Sequence, residues 1–259
     1  MRGRIIAAAM AVAGSHPAAA QDSFADAFWD FSVRSGFDFS SGLYGAAKPT
    51  EILSVPLSLK TVKGPWTMRA DLSWLRISGP AILLDAGGTA WGVRTSGHAS
   101  GVGDVHLYGT YSVESLWASG WFVDLTARVK APTASFAKGL GTGAWDGGAQ
   151  VDVAKTLGAL IPFLQVGYRL TGSPAGYTLR NIFYGSVGVQ YSWNERVVTG
   201  IAYDIRQAAL ATAKTPREGT AYVNYKLNDR WSVNVYGTAG FSPNSPSGGG
   251  GVAITFRGF

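Results

Sequence analysis

From Trp29 to Phe256 apolar and polar residues alternate in one run after another. In the stretch 231–241 one face carries Trp231, Val233, Val235, Gly237, Ala239 and Phe241, and the other Ser232, Asn234, Tyr236 and Thr238. In 66–74, Trp66, Met68, Ala70, Leu72 and Trp74 oppose Thr67, Arg69, Asp71 and Ser73. In 121–130, Trp121, Val123, Leu125, Ala127 and Val129 oppose Phe122, Asp124, Thr126, Arg128 and Lys130. The same period of two recurs over 29–39, 53–60, 104–113, 149–153, 160–170, 183–193, 199–206, 220–227 and 252–256. Successive side chains point to opposite faces only in a β-strand. The pattern predicts about twelve strands, each near the ten residues that a tilted, bilayer-crossing strand needs.

A soluble sandwich also alternates, so two further features decide. No apolar face in these runs carries a charge, as expected where a lysine or arginine at mid-bilayer costs about 2–4 kcal/mol. The apolar faces also end in aromatics (Trp66 and Trp74, Trp121, Trp193, Trp231, Phe241), the girdle expected at a membrane interface. The connections then alternate in length. Short ones fall at 62–65, 114–120, 157–159, 194–196 and 228–230, and long ones at 40–50, 76–103, 131–144, 172–181, 207–219 and 242–249. The related stretches "YSWNER" (191–196) and "YKLNDR" (225–230) read as successive short turns flanked by interfacial aromatics. The predicted fold is all-β: an antiparallel up-and-down transmembrane β-barrel of about 12 strands, with short turns in the periplasm and long loops outside the cell.

The N-terminus fits export. Arg2 and Arg4 precede the short apolar stretch 5–13, and Ala18, Ala19 and Ala20 offer a small-residue cleavage site. This predicts a signal peptide over 1–20, cleaved near Ala20, and a barrel domain over 21–259 in the outer membrane of a Gram-negative cell. Removing Arg2 and Arg4 lowers the formal charge from +6 to +4. Without a basic run interleaved with aromatics, nucleic acid is not an expected partner. The chain has no Cys, which excludes disulfides and thiolate metal sites. Only 21–27 precedes the first strand, so any constriction is expected from loops rather than an N-terminal plug. The longest, 76–103, could fold into the mouth; a hairpin turning at Gly87-Gly88 is favoured.

Gly101, Gly103 and Asp104 enter one strand, Lys130, Pro132 and Thr133 make a corner, and Gly139, Gly141 and Gly143 lead into the next strand. In these features the chain resembles the outer-membrane barrel "transporter" family associated with the MetA pathway of phenol degradation. "PTAS" stands where that family usually has Gly-Asp after Pro-Thr. The resemblance implies an outer-membrane channel for small compounds, aromatic or hydrophobic ones among them. The terminal Phe259 is the residue by which such barrels engage the assembly machinery, although Arg257 occupies a position that is usually apolar.

Candidate chemistry lies on the polar face. Arg34, Arg69, Asp71, Asp124, Arg128, Lys130, Asp152, Arg169, Asp204 and Arg206 are the expected lumen-lining residues. Opposed charges across a lumen select solutes; the same charges could instead form a salt-bridge network filling a narrow barrel. His98 and Ser100 are two residues apart, as in a lipid hydrolase, but no orienting partner follows them, and they share parity with Asp104 and His106, which places them inside. The glycines of 139–148 precede a strand rather than a helix, which excludes a dinucleotide loop. No residue set has metal-ligand spacing. The expectation is a passive channel for small solutes, embedded in outer-membrane lipid, with no catalytic residues, metal or cofactor. The alternatives are an outer-membrane lipid-acting hydrolase and a non-conducting structural or assembly barrel.

Overall fold

The computed structural model describes residues 30–80, 83–84, 90–91, 97–174 and 178–258. The leader 1–20, its cleavage site, the segment 21–27 and Phe259 lie outside these. The strands are β1 (Asp30–Gly42), β2 (Thr50–Lys63), β3 (Trp66–Gly79), β4 (Leu83–Leu84), β5 (Ala90–Trp91), β6 (Gly97–Val102), β7 (Val105–Ser112), β8 (Trp121–Ala131), β9 (Asp146–Lys155), β10 (Leu160–Leu170), β11 (Ile182–Ser192), β12 (Val197–Arg206), β13 (Arg217–Lys226), β14 (Trp231–Gly240) and β15 (Gly248–Arg257). In the order β2-β1-β15-β14-β13-β12-β11-β10-β9-β8-β7-β3 each strand pairs antiparallel with the next, and β3 pairs with β2, which closes a barrel of twelve strands, while β4 and β5 pair only with each other. Closure leaves no open sheet edge to be satisfied in lipid. β6 is the extra strand and pairs with the outer half of β3.

The outward face is the apolar one. Ile201 is 60% exposed, Val187 54% and Val235 51%. A water-soluble monomer does not expose a continuous belt of this kind; acyl chains cover it. Aromatic rings pair at both rims. At the short-turn end Trp66 meets Tyr111 at 5.0 Å between centroids, Tyr191 meets Trp193 at 4.7 Å, and Trp231 meets Phe256 at 4.9 Å. At the long-loop end Tyr168 meets Phe183 at 4.6 Å, and Tyr203 meets Phe241 at 6.1 Å. Lys155 faces outward at the short-turn rim, where its ammonium donates to Ser119 O (2.5 Å) and lies over the Trp121 ring (5.0 Å). A rim position lets the charge reach water.

The two related turns are built alike. Asn194 Oδ1 accepts from Arg196 N (2.8 Å) and Val197 N (2.9 Å), and Asn228 Oδ1 accepts from Arg230 N (3.0 Å) and Trp231 N (2.9 Å). An asparagine side chain that mimics a backbone turn explains why the motif recurs. Within 76–103 Leu83 pairs antiparallel with Trp91 and Leu84 with Ala90, whereas the expected turn at Gly87-Gly88 lies outside the described residues.

The wall has one break in register. Trp74 pairs with Val102 but Asp71 with His106, so Gly103, Asp104 and Val105 oppose only Leu72 and Ser73. One extra residue makes a β-bulge, and a bulge exchanges the two faces of its strand. His98 and Ser100 therefore face outward beside Ser78 and Arg76, not inward as unbroken parity predicts.

Candidate functional site

The interior is layered. At the long-loop end Tyr44, Ile52, Ile77, Ala134 and Leu140 pack into an apolar cluster inside the barrel. Leu140 belongs to the connection 132–145, so this loop folds inward. At the short-turn end Phe122, Ala154, Ile161 and Phe163 pack with Trp117. Between them lies a cavity of about 440 Å³. Aromatic side chains that enter this interior lie on glycines of the next strand. A Cβ on Gly167 would fall 2.2 Å from Tyr184 Cζ, and one on Gly200 would fall 2.4 Å from Tyr222 Cζ.

The motif residues that carry the family resemblance converge on one buried lock. Lys130, with 0% exposure, places its ammonium 3.3 Å from Asp104 Oδ2 and 3.2 Å from Asp146 Oδ2, and donates to Thr142 Oγ1. Asp104 Oδ1 accepts from Ala134 N (3.0 Å), and Asp146 Oδ1 from Gly172 N (2.9 Å). Thr133 Oγ1 accepts from Val105 N (2.9 Å) and donates to Gly103 O (3.1 Å), which satisfies backbone at the bulge. A Cβ on Gly141 would fall 2.7 Å from Asp104 Oδ1, so only glycine lets the loop pass. The lock fixes the inward loop by ion pairs inside the wall, as a buried charge requires.

Arg34, Arg69, Asp71, Arg128, Arg169, Asp204 and Arg206 line the central cavity together. Asp124 and Asp152 face inward but are buried in the wall between β8 and β9, and Lys130 is enclosed in the lock. The cavity adds residues absent from that expected set: Asp38, Glu218, His106, Tyr108, Tyr184 and Tyr236. The polar contacts are dense. Arg69 Nε lies 3.2 Å from Asp71 Oδ2, which also accepts from Ser58 Oγ through Oδ1 (2.6 Å). Arg206 Nη2 lies 2.5 Å from Glu218 Oε1, and Arg34 Nη2 donates to Asn234 Oδ1 (3.1 Å). Tyr236 OH donates to Asp38 Oδ1 (2.6 Å), and Tyr184 OH to Gln150 Oε1 (3.0 Å).

Cross-strand partners on adjacent tilted strands form rows that climb the wall. One row reads Arg257, Ser32, Lys60, Arg69, Tyr108, Arg128, Gly148, Arg169. A second reads Asp124, Asp152, Gln165, Ser186, Asp204, Glu218. Between them runs a row that is neutral until Arg206: Thr67, Thr110, Thr126, Gln150, Gly167, Tyr184. The first row is mainly cationic and the second mainly acidic, while the row on the other side of the first is mixed: Arg34, Ser58, Asp71, His106, Lys130, Asp146.

Outside the barrel, Ser78 Oγ lies 2.9 Å from His98 Nδ1. Among the described residues no carboxylate holds the other ring nitrogen, and no group of three His, Asp or Glu side chains could hold a metal ion.

A closed barrel with an apolar belt, two aromatic girdles and a charged, hollow centre defines a membrane-spanning β-barrel of the outer-membrane type. The solved structures it resembles are of that type. The COG4313 outer membrane channel from Pseudomonas putida F1 superposes with a TM-score of 0.69 at 14% identity, over 92% of this chain and 100% of that one. The KdgM porin gives a TM-score of 0.56 at 7% identity, over 88% of this chain and 99% of the porin. The NanC porin gives 0.56 at 11% identity, over 87% and 98%. No protein-family model matches the chain, and no curated protein does.

Proposed function

We propose that the chain is an outer-membrane channel through which small solutes diffuse passively, one chain forming one pore. The observation that carries this reading is the hollow, charged cavity enclosed by a lipid-facing wall. A barrel serving only as a scaffold gains nothing from placing so many ionised groups around an open volume, because each must be solvated or paired. The residues of 101–143 that resemble the MetA-associated barrels add small aromatic or hydrophobic compounds as candidate solutes. The partners of this reading are outer-membrane lipid, the solute, and the assembly machinery acting through Phe259. It requires neither metal nor cofactor, and it places the protein in a Gram-negative outer membrane after cleavage near Ala20. The test is a planar bilayer: purified protein should add discrete current steps, and a folded barrel that adds none would leave the structural reading.

The outward Ser78–His98 pair favours a second reading, hydrolysis of an outer-leaflet lipid ester. Release of fatty acid from phospholipid vesicles by the wild type, lost in Ser78→Ala, would support it.

A further inference from the structure

The cationic row crosses eight of the twelve barrel strands, from Arg257 at the short-turn end of β15 to Arg169 at the long-loop end of β10. It therefore spans the height of the lumen, and no carboxylate stands within it. Its centre is a stack. The Arg69 guanidinium carbon lies 3.9 Å from the Tyr108 ring centroid, and that of Arg128 lies 5.7 Å from it. One phenol ring is thus set between two planar cations that line the cavity. Arg128 also hydrogen-bonds Tyr184. Beyond Arg128 the row has Gly148, which adds no side chain before Arg169.

Planar guanidinium groups take carboxylates through paired N–H donors, and they stack with aromatic faces. Both properties meet here in a cavity of about 440 Å³, within the range of small-molecule sites. Glu218 is paired with Arg206, and Asp71 holds Arg69 from its Nε side, which fixes the guanidinium against the Tyr108 ring. We propose that this row is a track for small carboxylate-bearing solutes, and that Arg69, Tyr108 and Arg128 form its central station for planar aromatic carboxylates. The proposal rests on the channel reading and narrows it to a solute class. The neutral and acidic rows then serve as its walls.

Sodium benzoate is the probe, benzamide its uncharged equivalent and sodium acetate its ring-free one. In single-channel recordings benzoate should block the current at a concentration at least about tenfold below that for benzamide, since a hydrogen bond to a charged group is worth about 1.5–3 kcal/mol. Arg128→Gln or Arg69→Gln should raise the half-blocking concentration of benzoate about tenfold. Tyr108→Leu should weaken benzoate but leave acetate unchanged. Folding of each variant is read from its heat-modifiable mobility; if both glutamine variants fail to fold, Arg169→Gln tests the same row. Equal block by benzoate and benzamide, or folded variants that keep the wild-type benzoate block, would overturn the track. If the barrel carries no current in potassium chloride, the channel reading fails by itself. Calorimetric titration of benzoate into the detergent-solubilised barrel then decides the station, and an absence of heat overturns it.

Discussion

Lys130 and Asp104 form an ion pair across the β7–β8 seam, with 3.3 Å between Nζ and Oδ2 and no solvent access to the lysine. Asp146 completes the triad from β9. Lys130→Met would leave two carboxylates buried without their cation. Breaking a buried pair from one side costs about 3–5 kcal/mol. The expected outcome is a lower unfolding temperature in detergent and proteolytic cleavage within 132–145. Wild-type thermal stability in this variant would refute the lock.

The lipid face provides a second test. Val235→Arg should lower folded yield in membranes, with a cost of about 2–4 kcal/mol at mid-bilayer. Ser232→Arg, on the inward face of the same strand, should be better tolerated. Folding into vesicles, read as heat-modifiable mobility, compares them, and equal impairment would count against the assigned faces.

The interlocking of ring and glycine gives a third. At Gly200 a Cβ would collide with the Tyr222 ring. Gly200→Ala should therefore destabilise the barrel by about 1–3 kcal/mol, the usual range for overpacking. Tyr222→Ala in the same chain should recover part of that loss. A double variant no better than the single one would show that the contact is not what is strained.

Orientation is tested by tags. An insertion at Gly87 should bind antibody on intact cells, whereas one at Asn194 or Asn228 should bind only after the outer membrane is opened. The reverse pattern would invert the barrel.

The wall was legible because its outward face is apolar in strand after strand, even where Phe122, Ile161 and Phe163 make the inward face apolar too. Every strand of the barrel coincides with an alternating run, and Trp66, Trp121 and Trp231 mark strand starts directly. Parity failed at one place, Gly103–Val105, where a bulge moves His98 and Ser100 to the outside. Gly-x-Gly-Asp was visible there, but an extra residue in a ladder shows only when the partner strand is known. The interior was half legible. Single-strand parity identified Arg34, Arg69 and Arg128 as inward. Glu218 was missed because it was assigned to a loop, and Tyr108, although inward by parity, carries no charge. That Lys130 is locked while Arg128, two residues away, reaches the cavity depends on the fold of 132–145 and on Asp146, which no periodicity encodes.

The slanted stripes have a geometric consequence. A row that passes over eight of twelve strands while rising from rim to rim is part of a screw thread. The mainly cationic row and the mainly acidic row follow parallel threads, so the side of the lumen that each occupies turns with height. A molecule with a dipole that keeps its negative end toward Arg69 and then Arg169 must rotate about the barrel axis as it advances. On the proposed channel reading, passage would be coupled to turning, with a pitch set by strand tilt rather than by any one side chain.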